Sequence, residues 1–184
     1  MDPGQAPQLD RMDHDLSPED LFIKMYRCAM AGLSFGDTGS WEFGRRLLAR
    51  YFPSQDVGPL FGEFYAFARS AIAASQRPLT CQAVSSPGAS AEETLALRMI
   101  EMSQRADPVG ALSAATTLVG DDDLGAVFQS AQSLANSLAV YGLFVRIPPD
   151  AAESRTAPAA RGQPSNFGLE RPSRRLPFGR VFSR

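Results

Sequence analysis

Histidine and cysteine, on which many catalytic and metal sites depend, are scarce in this sequence of 184 residues. The only histidine is His14, which lies in a polar leader between Asp13 and Asp15. A nucleophilic triad or a histidine-based metal site needs an imidazole that is held in place. The two cysteines, Cys28 and Cys81, cannot complete a four-thiolate zinc site. We therefore predict no catalytic residue, no metal and no cofactor.

Long apolar runs are also missing. No stretch approaches the roughly 20 apolar residues that a membrane helix needs, so we predict no membrane span. Residues 1–8 have neither the basic region nor the apolar region of a secretory signal peptide. The expected location is the cytoplasm, although a C-terminal export signal would escape this test.

Lysine occurs once, at Lys24, against 17 arginines. Genomic base composition explains this bias, so the choice of arginine over lysine is not a functional signal. The clustering of arginines near the C-terminus is such a signal, because composition alone does not place them there.

Apolar periodicity and repeated helix-start signals predict an all-α protein. Ser17-Pro18 and Asp107-Pro108 each place a capping residue before a proline, and Ser90 to Glu93 form a capping box. The predicted domains are a disordered leader over 1–15, a single helical bundle over 16–146 and a disordered tail over 147–184.

About six helices are expected, and most begin after such a signal. They run from Ser17 to a glycine-rich turn over Gly32–Gly39, from Ser40 to Phe52, from near Pro59 to before Pro78, from Ser90 onward, from Asp107 to Gly120, and from Asp121 to near Gly142. Leu143–Ile147 is the only plausible strand, and it has no obvious partner.

Three groups of residues are candidate chemical sites, and each also has a simpler structural interpretation. Asp121, Asp122 and Asp123 lack the spacing of a calcium loop, which favours a helix cap over a metal site. Cys81 is either a reactive thiol or, as favoured, a packed loop residue, and Cys28 is expected in the core. Five glutamates are interpreted as solvated helix faces rather than catalytic carboxylate pairs: Glu42, Glu63, Glu92, Glu93 and Glu101.

The second predicted helix has an aromatic residue and three arginines close together. Trp41, Arg45, Arg46 and Arg50 form a weak candidate surface for an acidic or phosphate-bearing partner. Pairing of these arginines with nearby acids is the alternative. Residues 1–146 have a net charge of −6, which opposes a broad nucleic-acid surface.

The tail is basic, with seven arginines and three acids over 147–184, a net charge of +4. Such a segment cannot bury enough apolar surface to order itself, so we expect it to bind a partner. Residues 147–164 are interpreted as a spacer and 166–184 as a linear motif. Its candidate contacts are Phe167, Leu169, Arg171, Arg174, Arg175, Leu176, Phe178, Arg180, Phe182 and Arg184.

The last residues also resemble the arginine-rich C-terminal signals of type IV secretion substrates. The residues that carry this resemblance are Arg171, Arg174, Arg175, Arg180 and Arg184. It covers only the tail, and it implies an exported effector.

The leading hypothesis is a non-enzymatic helical adaptor or regulatory protein that binds a protein partner, with the tail as a second contact. The alternatives are a nucleic-acid-associated regulator that uses the arginine tail, an exported effector, and a small enzyme of unrecognised type that uses Cys81 or a carboxylate. The sequence leaves the partner and the oligomeric state open.

Overall fold

A computed structural model describes residues 16–120 and 124–147. Within these ranges the protein is all-α, as predicted, with six helices and no strand. The helices are α1 (Pro18–Phe35), α2 (Thr38–Leu48), α3 (Ser54–Ala74), α4 (Ala91–Gln104), α5 (Pro108–Val119) and α6 (Leu124–Val140). The leader, the tail from residue 148 and Asp121–Asp123 lie outside the described residues.

The helix-start signals in the sequence act as the sequence predicts. The Ser17 hydroxyl accepts a hydrogen bond from the Asp20 amide at 3.1 Å. Asp107 accepts one from the Gly110 amide at 2.9 Å. Ser90 and Glu93 form a reciprocal capping box. Each cap satisfies an amide that the first helical turn leaves without an intrahelical acceptor.

Helix α1 continues through Gly32, so the predicted turn over Gly32–Gly39 is wrong in its first half. The helix ends at Phe35, and Gly36 terminates it in the left-handed conformation at φ 65°. Gly32 does not end the helix. Because it has no side chain, it leaves room for the Trp41 indole, which packs against it.

The bounds of α2 and α3 also differ from the prediction. Helix α2 stops at Leu48, and the chain turns so that Phe52 enters the core, with its amide bonded to the Leu48 carbonyl at 2.9 Å. Helix α3 begins at Ser54 and contains Pro59. Pro59 lacks the backbone N–H that an interior helical residue donates, and Val57 of the same helix is buried in the core.

The core is centred on α1, α3, α4 and α6. Phe22, Tyr26, Phe64 and Phe67 bring α1 and α3 together, with ring centroids 5.7–6.2 Å apart. Alanines on α3 and α6 allow these two helices to approach closely. Helix α4 packs on both α5 and α6, whereas α2 contacts only α1 and α3.

The predicted strand Leu143–Ile147 is an extended segment without a partner strand. The Gln104 side chain takes that role, because its amide binds the Leu143 carbonyl at 2.8 Å and the Val145 amide at 2.9 Å. Glu19 accepts a hydrogen bond from the Arg146 amide at 2.7 Å. The segment therefore returns to the start of α1.

Charge is balanced within the described ranges, which contain ten acidic and ten basic residues. The acidic excess of residues 1–146 belongs to the leader and to Asp121–Asp123. Residues 16–146 as a whole, with Asp121–Asp123, carry a net charge of −3, so the helical body is less acidic than residues 1–146 together. Every helix in these ranges is too short or too polar to cross a membrane.

Candidate functional site

Helix α1 contains a buried arginine, Arg27, with 1% of its surface exposed. Its guanidinium forms a two-pronged ion pair with Glu93, which is fully buried. Nε lies 2.7 Å from Oε1, and Nη2 lies 2.8 Å from Oε2. A buried charge is tolerated only when it is paired and hydrogen-bonded, and this geometry provides both.

The rest of the guanidinium binds the loop between α3 and α4, residues 75–90, which we call the anchored loop. Nη1 donates to the carbonyls of Ala83 at 3.2 Å and Ser86 at 2.7 Å. Nη2 donates to the Gly88 carbonyl at 2.7 Å and to Gln82 Oε1 at 3.0 Å. Since every nitrogen has an acceptor, this one side chain fixes residues 82–88 onto α1.

Glu93 holds the same loop from the side of α4. Besides Arg27, its carboxylate accepts the amides of Gln82 at 2.9 Å and Ser90 at 2.7 Å. Burial alone would raise the pKa of Glu93, but the hydrogen bonds from Arg27, Ser90 and Gln82 outweigh it, so the pKa is lowered. The hydrogen bond to Glu93 raises the pKa of Arg27. Both groups are therefore charged at neutral pH.

A second carboxylate anchors the start of the loop. Glu92 accepts hydrogen bonds from the Thr80 amide at 2.5 Å and the Thr80 hydroxyl at 2.7 Å, and it pairs with Arg77. Burial raises its pKa, but the bonds from Thr80 and Arg77 prevail and lower it. Two adjacent residues at the start of α4 thus hold the anchored loop at two points.

The interpretation of all five glutamates as solvated is wrong for three of them. Glu92, Glu93 and Glu101 are buried, and Glu101 pairs with Arg105 at 3.2 Å. They are buried because each has a hydrogen-bond or ion-pair partner that the linear sequence does not reveal. Glu42 is exposed and Glu63 is partly exposed.

The anchored loop forms one wall of a surface groove. The Ser86 amide binds the Ala83 carbonyl at 2.9 Å, which closes a turn with Val84 and Ser85 at its tip. Opposite this tip lies the start of α2. The cavity between them measures 420 Å³, and we call it the loop–helix groove. Its lining residues are Lys24, Asp37, Gly39, Ser40, Phe43, Val84 and Ser85.

The α2 wall of the loop–helix groove combines an apolar surface with a polar rim. Phe43 has 42% of its surface exposed. At the rim, Asp37 caps α2 and accepts hydrogen bonds from the Gly39 amide at 3.0 Å and the Ser40 hydroxyl. The bond from Ser40 is the main cause of the lowered pKa of Asp37. The groove can therefore take an apolar side chain and orient its polar neighbours.

Helix α2 is held by close aromatic packing. The Trp41 indole covers Gly32 so closely that a Cβ at Gly32 would lie 1.4 Å from the indole nitrogen. The indole also meets the rings of Tyr65 and Phe61 edge to face, with centroids 5.4 and 6.4 Å away. The indole nitrogen is buried and has no hydrogen-bond partner among the described residues.

The structure separates the residues of the predicted surface on the second helix. Trp41 faces α1 and α3, whereas Arg45, Arg46 and Arg50 are exposed. Arg46 follows Phe43 at the helical spacing of three, whereas Arg50 lies in the turn beyond the end of α2. The tail residues predicted to bind a partner lie outside the described residues.

Neither thiol is activated. Cys81 packs against the core from the anchored loop, and burial and then the charge of Glu93 raise its pKa. Cys28 is fully buried, as predicted, and burial raises its pKa to about 11. In residues 16–120 and 124–147, no group of three or more histidine, cysteine or acidic side chains is placed to hold a metal ion.

Comparisons with protein-family models, with curated proteins and with solved structures found no match.

Sequence reasoning missed the residues that shape the groove. Arg27 could have been found, because it stands between Ile23 and Met30 on an otherwise apolar stripe of α1. An arginine in that position implies a buried acidic partner. Phe43 and Val84 give no comparable signal, since their meeting depends on contacts between distant parts of the chain.

Proposed function

We propose that the protein is a non-catalytic binding protein, an adaptor or regulator, and that a protein partner docks in the loop–helix groove. The observation that carries this proposal is the pairing of Phe43 with the Val84 turn, which Arg27 and Glu93 hold in one conformation. A wall that is already ordered costs little further entropy when a ligand binds, which favours affinity.

The surroundings of the groove indicate the chemistry of the partner. Lys24 lines the groove, and Arg46 lies one helical turn after Phe43 on α2. A complementary segment would place one apolar residue between Phe43 and Val84 and acidic residues along α2. Opposite charges of this kind increase the rate of association and fix the register of binding.

The tail is proposed as a second contact. Its arginines and phenylalanines over 166–184 support this role, with the spacer as a tether. Two linked contacts raise the overall affinity because the second binding event becomes intramolecular.

The test is site-specific photo-crosslinking in the native host. A photoreactive aromatic residue would replace Phe43, and in a matched control it would replace Val109, an apolar residue on α5 with 76% of its surface exposed. We expect a protein adduct at position 43 that is absent at 109. Equal adducts at both positions, or none at 43, would contradict the proposal.

Nucleic-acid binding is the alternative outcome. The described residues carry balanced charge, and Arg45 and Arg46 are exposed. Binding of DNA or RNA at low salt, lost together with these two arginines, would favour that alternative. We expect no such binding by the body.

A further inference from the structure

A second, smaller groove lies between α3 and the end of α6. Its cavity measures 160 Å³, about the room for one large side chain. We call it the acidic groove. It is lined by Asp56, Pro59, Leu60 and Glu63 of α3 and by Ser137, Val140 and Tyr141 at the end of α6.

The charge of the acidic groove has one sign. Asp56 and Glu63 lie seven residues apart on the same face of α3, and no basic residue lines the cavity. Helix α6 contributes no charged residue between Leu124 and Val140. Glu63 forms no ion pair within the described part of the chain. The groove therefore offers carboxylate acceptors beside an apolar surface.

The apolar surface of the acidic groove is uncovered. Val140 has 81% of its surface exposed, while Leu60 is buried at the floor.

Aromatic packing positions Tyr141 on the α6 side of the groove. Its ring meets Phe52 edge to face, with centroids 4.9 Å apart. Burial and then the nearby Asp56 raise the pKa of Tyr141, so the phenol stays protonated. Asp56 and Tyr141 both line the groove, and the carboxylate there could accept charge-assisted bonds from a guanidinium.

We propose that the acidic groove binds the chain's own segment Asn166–Arg184. In that segment Phe178 and Phe182 each lie two residues from Arg180, with one small or aliphatic residue between them. Each aromatic anchor therefore has an arginine beside it. One phenylalanine would fill the cavity between Leu60 and Val140. Neighbouring arginines would bind Asp56 and Glu63 through charge-assisted hydrogen bonds.

The spacer is long enough for this contact. Residues 148–165 can span about 60 Å at the roughly 3.3 Å per residue of an extended chain. A folded body of this size is on the order of 30–40 Å across, since its radius of gyration is close to 14 Å. The tether therefore reaches any face of the body at a modest entropic cost. Its high local concentration favours the same chain over a second copy.

Two other cavities among the described residues suit a basic segment less well. In the loop–helix groove, Lys24 accompanies the acid Asp37. A larger cavity of 710 Å³ beside Phe144 is lined by Arg105 and Arg146 with the acid Glu101. The basic residues offset the acids at both places, so neither attracts arginines as the acidic groove does. The docked tail would thus leave the loop–helix groove open to the partner, and the tail would become the partner's second contact only after leaving the acidic groove.

Nuclear magnetic resonance of the full-length chain tests this contact. Comparing the wild type with the double variant Phe178→Ser and Phe182→Ser, we expect backbone amide shifts to change at Asp56–Glu63 and Ser137–Tyr141, with no change in α5. High salt should produce similar shifts in the wild type, because ionic contacts are screened. If the backbone amide chemical shifts of α3 and α6 are the same in the wild type and in the double variant, the proposal is overturned.

Limited trypsin digestion gives a second, independent measurement with a matched pair of variants. Glu63→Gln should accelerate cleavage after Arg174, Arg175 and Arg180 severalfold, because it removes one carboxylate of the groove. Glu42→Gln, which neutralises an exposed acid on α2, should leave the cleavage rate unchanged. Equal rates in both variants would contradict the contact. Shifts or protection that weaken on dilution would mean that the tail of a second copy binds, which also overturns the intramolecular proposal.

Discussion

The two walls of the loop–helix groove are held by opposite kinds of interaction. The anchored loop depends on buried charge, because Arg27 and Glu93 hold its carbonyls and amides. Helix α2 depends on shape, because Trp41 fills the space that Gly32 leaves. Directional bonds to a buried charge fail together when one partner is lost. Aromatic packing fails only when its volume is disturbed.

The largest expected effect comes from breaking the charged wall. Glu93→Gln would leave Arg27 buried without an anionic partner, which costs about 3–5 kcal/mol. Urea denaturation measures this loss as a lower midpoint at a similar slope. The control is Arg77→Gln, since Arg77 is 57% exposed in its pair with Glu92. That change should cost no more than about 1 kcal/mol, and a similar cost for both variants would contradict the central role of the buried pair.

Breaking the aromatic wall should have a smaller effect. Gly32→Ala would displace the Trp41 indole, and overpacking of this kind costs about 1–3 kcal/mol. Trp41 is the only tryptophan, so its fluorescence reports the displacement directly. Gly62→Ala is the matched control, because Gly62 lies inside α3 and nothing lies within 4 Å of its Cβ position. It should stabilise the helix by about 0.5–1 kcal/mol. A loss of stability at Gly62 as large as that at Gly32 would show that helix backbone effects, not Trp41, are responsible.

Acidification should destabilise the anchored loop before it destabilises α2. The pKa values of Glu92 and Glu93 are lowered in the folded protein, so their stabilising contribution is complete above the unfolded pKa of about 4.3 and is lost as the pH falls below it. The protection of residues 79–90 against hydrogen exchange, corrected for the intrinsic exchange rate at each pH, should therefore fall on acidification before that of α2. The cap residue Asp37 also has a lowered pKa, but it is fully exposed, so its effect should be smaller. An anchored loop that keeps its protection while α2 opens first would contradict this order.

The smallest effect on stability is expected at the groove surface. Phe43→Ala should change the free energy of unfolding by only about 0.5 kcal/mol, because the ring is partly solvated and lies away from the buried network. Thermal denaturation checks this value. A much larger loss would mean that Phe43 supports the fold and would remove it as a neutral probe of binding.

The sequence was most informative where structure is local. The caps at Ser17, Ser90 and Asp107 use residues within one helical turn, and all three were predicted. Gly32 was misinterpreted as a turn because its function depends on Trp41, nine residues away and on another helix.

The groove itself could not be predicted for the same reason. Arg27 and Glu93 are 66 residues apart, and no local pattern records their pairing. The predicted binding residues of the tail, its resemblance to secretion signals and the cytoplasmic location stay predictions.

The most direct test of the proposed docking site is a pair of dissociation constants for the partner identified by crosslinking. The full-length variants Phe43→Asp and Val109→Asp would be compared with the wild type by calorimetry. Both residues are exposed and apolar, so both changes should leave the fold intact. We predict at least about tenfold weaker binding for Phe43→Asp, equivalent to 1.4 kcal/mol, and no change for Val109→Asp. Equal affinities for the two variants would show that the partner binds elsewhere on the protein.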